Sequence, residues 1–409
     1  MELLKVDDLE EALSKLTREA EKITIETEAC DIFHSFGRTL AEDIVSEENI
    51  PGFARSVMDG YAVRSQDMQG AGESIPGFLE IVGEVQMGNS ADMEISAGQC
   101  VYVPTGAMLP KGSDAVVMEE YCEKSSDTKL AVYKSEAPGS NVAADDEDVK
   151  KGETVLLRGH RLKAQDMGLL AALGRNRIKV YKPLKVFIIS TGDELLGPEE
   201  ESIPGKVRDV NSYGIAGMAA KFGFEIAGIA RVRDSRDELA GAVEDAKGKA
   251  DIIVISGGSS KGRKDITAEI IDKAASSGVF THGIAVKPGK PTILGVDIPS
   301  RSVIVGLPGH PVAALMLFDL IVGGLWREKT GQDRPASVWA QINVNIPSSP
   351  GRKTFQLVNL ISIGEENIAQ PVLGKSGMIY TMSRADGYII IDKNQEGLKK
   401  GQNVQVFMF

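Results

Sequence analysis

A chain of 409 residues, 42% hydrophobic and 25% charged, is long enough for several packed domains and too apolar for extended disorder. Its 46 basic and 58 acidic residues give a formal charge of −12, which argues against a binder of nucleic acid or of anionic membranes. Cys30, Cys100 and Cys122 are an odd set without CxxC spacing, so neither a disulfide framework nor a zinc site is expected.

The start of the chain has no basic stretch leading into an apolar one, so no signal peptide is expected. Helical patterns at 23–43 and 150–177 flank a β-rich block with strands such as 99–103 and 114–118. If the flanks pair in space, the block is an insertion: a linking domain of 23–45 and 149–177 carrying a β-rich domain of 46–148. Short β-branched runs at 184–190, 224–232, 251–256 and 302–306 alternate with helical patterns at 212–222, 235–247 and 267–277. Such runs suit strands buried on both faces, and the alternation predicts a parallel sheet with helices on both sides. This α/β domain is expected from 1–22 and 178–331. Ser235 and Glu238 form a capping-box start, Pro311 fits a first helical turn, and Gly331 fits the residue just past a helix end. The apolar run 311–326 is too short to span a membrane and carries Asp319, so it reads as a buried helix of a cytoplasmic protein. Glu199, Glu200 and Glu201 read as a solvated loop. Strand patterns at 338–346, 354–360, 387–392 and 403–409 predict a small C-terminal β-barrel domain over 332–409.

Chemistry-bearing residues concentrate at the ends of the α/β strands. Ser190-Thr191-Gly192-Asp193-Glu194, Ser256-Gly257-Gly258-Ser259 and Gly306-Leu307-Pro308-Gly309-His310-Pro311 each follow an apolar run. Ligands of open α/β sheets bind at the carboxyl ends of strands, and glycine loops there expose N–H groups suited to phosphate oxygens. None of the three is a Walker A loop or a GxGxxG fingerprint. Lys287-Pro288-Gly289-Lys290-Pro291 presents two lysines from a stiff segment, and with Lys261, Arg263 and Lys264 concentrates positive charge in an acidic chain. Asp193, Glu194, Asp209, Asp234 and Asp265 stand beside these loops, an arrangement that makes sense facing phosphates if Mg²⁺ bridges them. The four histidines show no ligand spacing, and His310 reads more as a turn residue than as a ligand contact.

Together these segments resemble the molybdopterin molybdenumtransferases, the molybdenum insertases that include the E domain of gephyrin. The likeness runs in order through FGRTLAED at 36–43, SVMDGYAVR at 56–64, PTGAMLPKGSDAVVMEE at 104–120, STGDEL at 190–195, GKVRDVNSYG at 205–214, SGG, KPGKP and GLPGHP. It implies four modules, a homodimer, and a Mg²⁺-dependent reaction in which adenylyl-molybdopterin and molybdate give molybdenum cofactor and AMP. A molybdopterin adenylyltransferase would act upstream. The resemblance places Asp59, Thr105 and Asp148 on the oxyanion side of the site. It places Glu194, Asp234 and Asp265 at the metal and the adenylyl phosphate, Asp265 foremost. Substrate contacts are implied for Gly192, Asp209, Asn211, Ser212, Gly257, Gly258, Lys287, Gly289, Lys290, Pro308, Gly309 and Pro311. The chain departs from the family at Asn141-Val142-Ala143-Ala144-Asp145-Asp146-Glu147-Asp148, where arginines common in relatives are missing. Weak oxyanion binding is expected there unless Arg55, Arg64 or another cation substitutes. Other readings are a non-catalytic molybdopterin-binding carrier, a molybdopterin adenylyltransferase, and an insertase that uses tungstate.

Overall fold

A computed structural model describes residues 6–257, 264–364 and 366–409; the side chains of Lys264 and Asp265 fall outside that description. The central sheet runs in the order Glu225–Val232, Lys185–Thr191, Ile252–Gly257, Ser302–Leu307, Ile293–Asp297, Val279–His282. The first four strands are parallel. The last two are antiparallel, so the sheet is mixed and not the expected parallel one. The hairpin was hidden because Gly283 and the stiff KPGKP segment break up the stretch 279–297, leaving no sustained hydrophobic period.

Burial follows the two-residue period of the strands. Val186, Ile188, Ile252 and Val254 face a core with the helices Leu9–Glu19, Asn211–Lys221 and Pro311–Leu317. Phe187, Ile189, Ile253 and Ile255 face the opposite core, under Arg236–Ala246 and Lys264–Ala274. Both faces are covered, which is why these strands read as continuous apolar runs. Ser235 caps its helix by accepting from the Glu238 N–H at 3.4 Å, but the Glu238 carboxylate takes the Arg233 N–H instead of closing the box. The apolar run 311–326 is helical and buried, passing through a π-helical turn at Phe318–Gly323 before Gly324–Thr330. The helix ends at Gly331, in the left-handed region at φ 81°. No helix among the described residues is long and apolar enough to cross a membrane.

The helix expected over 23–43 is absent. Thr27–Asp31 is a strand paired antiparallel with Arg177–Tyr181, followed by a single 3-10 turn at Ile32–His34. Ile23, Thr24, Ile25 and Thr27 are β-branched, and tertiary pairing favours the extended form. Within 150–177 only Ala164–Ala172 is helical, while Thr154–Leu156 pairs with Ile44–Val45. Between these pairings lies a six-stranded sheet that includes Gly60–Val63, Gln99–Val103 and Ala115–Met118.

The C-terminal strands Lys353–Ile363, Glu366–Pro371, Ser337–Ile342, Asn403–Met408 and Gly387–Ile391 close into a barrel, the last pairing back onto the first. Glu366–Pro371 was not expected, since half of its residues are polar and only Ile368 is β-branched. One further strand, Val286–Lys287, pairs parallel to the barrel edge, matching Val286 with Lys353 and Lys287 with Thr354. Lys353 also pairs with Glu10, and Lys393 with Asp8, so the first helix clamps the barrel to the α/β unit.

Candidate functional site

Because Lys185–Thr191, Ile252–Gly257 and Ser302–Leu307 are adjacent and parallel in the sheet, their carboxyl ends lie side by side. A buried polar network anchors them from below. The Ser190 hydroxyl donates to Asp209 at 3.1 Å and lies 2.9 Å from the Ser212 hydroxyl, while Asp209 also accepts from the Ser212 N–H at 3.1 Å. Asn211 donates to Ser256 Oγ at 2.8 Å and to the Gly309 carbonyl at 2.9 Å, tying the second loop to the third. Its Oδ1 is buried and has no hydrogen-bond partner among the described residues. Asp209, Asn211 and Ser212 thus shape the loops from inside, and a buried amide oxygen left without a donor is costly unless function uses it.

Close approach explains the glycines. At Gly257, φ is 130° and a Cβ would stand 2.2 Å from the Thr191 carbonyl oxygen. At Gly289, φ is 120° and a Cβ would stand 2.4 Å from Leu317 Cδ1, so only glycine lets the KPGKP turn lie on that helix. A Cβ on Gly192 would stand 2.8 Å from the Glu194 carboxylate oxygens.

The acidic residues stand on neighbouring strand ends. Thr191 Oγ1 donates to Asp234 at 3.0 Å, and the Asp234 N–H donates to Asp193 at 3.3 Å, so the loops carrying Asp234 and Glu194 touch. Gly258 lies outside the described residues, as do Lys261, Arg263 and the side chain of Asp265, although Asp265 is in the first turn of Lys264–Ala274.

Beside the third loop an open cleft of about 700 Å³ runs between the α/β unit and the barrel. Pro308, Pro311's neighbour His310, and the turn 287–291 form one wall, while Arg352, Thr354, Gln356 and Lys375 form the other. Lys287, Lys290, Arg352 and Lys375 all line it, and among the described residues no Asp or Glu does. None of these four cations has an ion-pair partner among the described residues. In an acidic chain, that is a site built for an anion.

The family assignment rests on comparisons that agree over the whole chain. Family models match in order: "MoeA N-terminal region (domain I and II)" over 8–174, "Probable molybdopterin binding domain" over 187–327, and "MoeA C-terminal region (domain IV)" over 340–409. A molybdopterin molybdenumtransferase of Haemophilus influenzae is 31% identical, covering 98% of both chains. A putative molybdopterin biosynthesis protein of Methanocaldococcus jannaschii is 35% identical, covering 97% of this chain and 95% of its own. The crystal structure of a molybdopterin biosynthesis MoeA protein from Pyrococcus horikoshii superposes with a TM-score of 0.80 at 34% identity, covering 99% of each chain. The chain belongs to the molybdopterin molybdenumtransferase (MoeA) family. Membership makes it a transferase of molybdenum cofactor biosynthesis.

The residues that the resemblance assigns to the oxyanion side of a MoeA site lie in the inserted β-rich unit. Asp59 accepts from the Thr105 N–H at 2.7 Å and from its hydroxyl at 2.8 Å. These two donors, the N–H foremost, hold the Asp59 carboxyl below its ordinary range. A depressed carboxyl adds stability above its unfolded pKa and loses it as pH falls through its folded pKa. Thr105→Val, which removes the hydroxyl donor and keeps the N–H, should therefore raise the Asp59 pKa toward its ordinary value. Carboxyl ¹³C titration checks this; an unmoved Asp59 would mean the hydroxyl contributes nothing. Asp148 is exposed and tied only through its N–H to the Ile50 carbonyl. No hydrogen bond or ion pair among the described residues joins 46–148 to the strand-end loops.

The structure also locates the missing arginines. Ala143 is buried and pairs with Arg55 across Val142–Ala143 and Arg55–Ser56, whereas Ala144 is exposed. Asp145 accepts from Asn49, and Asp146 pairs with Lys150 at 3.6 Å. Arg64 follows Gly60–Val63 at the end away from Asp59 and faces Asp67 at 3.8 Å, whereas Arg55 stands across from Ala143. Glu200 is no mere solvated loop residue, since it accepts from the Gly197 N–H and pairs with Arg231. Arg352, Lys375 and Ser376 escaped the sequence reading. The signal available was the Gly374-Lys375-Ser376-Gly377 turn, a cation and a hydroxyl bounded by glycines.

Proposed function

We propose that the protein is a Mg²⁺-dependent insertase that transfers molybdenum from molybdate to adenylyl-molybdopterin, with release of AMP. The observation that carries this reading is the cleft that, among the described residues, is lined by four cations without ion-pair partners and by no carboxylate, opening beside the strand ends. A nucleotide-linked pterin and an oxyanion are both polyanionic, and the two features together offer N–H donors and positive charge. The cleft supplies the cations that the segment 141–148 lacks, which weighs against a non-catalytic carrier.

Mg²⁺ asks for one or two carboxylates, the remaining oxygens coming from phosphates and water. Among the described residues no three His, Cys, Asp or Glu side chains converge on one point, but Asp234 and Glu194 on touching loops meet this smaller demand. By the resemblance Asp265 would join them. The ion when bound supplies positive charge at the adenylyl phosphate. Asn211, Ser256 and Gly309 hold the loops in register, Lys287 and Lys290 bind phosphate or oxyanion oxygens, and Gly289 keeps that turn seated on its helix. Asp59, Thr105 and Asp148 act from a partner subunit, since their own chain does not bring them to these loops. We place the enzyme in the cytoplasm as a homodimer, downstream of a molybdopterin adenylyltransferase.

Incubating the purified protein with adenylyl-molybdopterin and Mg²⁺, with molybdate or with tungstate, should release AMP in an oxyanion-dependent manner. Binding without AMP release under either oxyanion would make the protein a carrier. Faster release with tungstate would reassign the substrate.

A further inference from the structure

His310 sits where the third loop enters its helix, on the wall of the cationic cleft. Its Nδ1 is 2.8 Å from Ser376 Oγ of the barrel, and its Nε2 has no hydrogen bond among the described residues. The backbone around it has little left to offer an anion. Pro311 has no N–H, and the Val312 N–H already donates to the Ser376 carbonyl at 3.1 Å. The His310 ring can offer a donor at this corner through Nε2. The charged groups lining the cleft with it are, among the described residues, Lys287 and Lys290 on the same wall and Arg352 and Lys375 on the barrel, all cations. An anion arriving beside the ring favours its protonated form.

We propose that His310 is a binding residue for a tetrahedral oxyanion, taking up one proton from solvent as the anion binds. The bound imidazolium donates through Nδ1–H to Ser376 Oγ and through Nε2–H to an anion oxygen. Ser376 is a positioning residue that fixes the ring. The inference rests on the cleft being the anion site of the insertase reading and adds to it a proton-linked donor. Imidazole changes charge between pH 5 and 8, whereas lysine and arginine hold theirs, so the linkage belongs to the histidine.

Sulfate is the probe, because it keeps both charges over this range. Calorimetry at constant ionic strength should show sulfate affinity falling on the order of tenfold from pH 6 to pH 8, with proton uptake in buffers of different ionisation enthalpy. With only four histidines in the chain, the His310 ring resonances are assignable by their loss in His310→Asn. Their titration should move to higher pH when sulfate is added. His310→Asn and His310→Gln should bind more weakly at pH 6 and show neither the slope nor the proton uptake. Ser376→Ala should weaken binding several-fold at pH 6 and keep the slope. Displacement of sulfate by AMP above pH 7, or by molybdate, tells whether the nucleotide phosphate or the oxyanion substrate occupies the site. An undiminished slope in both His310 variants, or ring resonances indifferent to sulfate, overturns the proposal and leaves the insertase reading standing. A wild-type protein that binds neither sulfate, AMP nor molybdate overturns both.

Discussion

Asp265→Asn should abolish AMP release while adenylyl-molybdopterin still binds, and mixing that variant with Asp59→Ala should bring activity back. The amide is nearly the size of the carboxyl, so the bound substrate fits, but a neutral oxygen is a poor partner for Mg²⁺. Asp59→Ala removes an exposed carboxylate whose partners, the Thr105 N–H and hydroxyl, can turn to water, so the fold should survive it. Restoration follows from topology. Among the described residues nothing ties 46–148 to the strand ends, so the two residues serve one site only if they come from two chains. With random exchange, about half of the dimers are mixed and each carries one intact site, giving about a quarter of the wild-type activity. Either variant alone should stay near zero. Mass-tagged subunits verify exchange; fully exchanged mixtures that remain inactive would place the whole site within one chain.

What the sequence revealed and what it concealed follow from range. Strands such as Lys185–Thr191 and Ile252–Gly257 are apolar on both faces, a local property, and Gly257, ending the second, holds a φ of 130° that favours glycine. The KPGKP lysines were legible for the same reason, as a stiff cationic segment. The other half of the cleft was not. Arg352 and Lys375 join Lys287 and Lys290 only because Val286–Lys287 pairs with the barrel edge, a contact between segments that nothing in either sequence announces. The strand Thr27–Asp31 was misread because its pairing partner lies some 150 positions away at Arg177–Tyr181. The segment 141–148 is a different case. Its missing arginines lead to an expectation of weak oxyanion binding unless another cation substitutes; Ala143 is buried against the strand bearing Arg55, and cations without an ion-pair partner among the described residues line the cleft.

The cleft cations carry the second large effect. Arg352→Ala and Lys290→Ala should each weaken AMP binding about 10- to 100-fold, since a hydrogen bond to a charged group contributes roughly 1.5–3 kcal/mol. The unliganded protein should not lose stability. Neither side chain has an ion-pair partner among the described residues, and removing one of four neighbouring like charges relieves repulsion. The signature is therefore a split between two melts. At a ligand concentration 100 times the wild-type Kd, binding stabilises wild type by about 2.7 kcal/mol. A variant binding 10- to 100-fold more weakly keeps only about 1.4 to 0.4 kcal/mol of that gain at the same concentration. Arg175→Ala serves as the control of equal charge, because it breaks an exposed pair with Glu47 far along the linking unit. Exposed pairs contribute little, and AMP affinity should not change there. If Arg352→Ala and Lys290→Ala bind AMP as tightly as wild type, the phosphate lies over the strand-end loops alone, and the cleft must be left to the oxyanion or to no ligand at all.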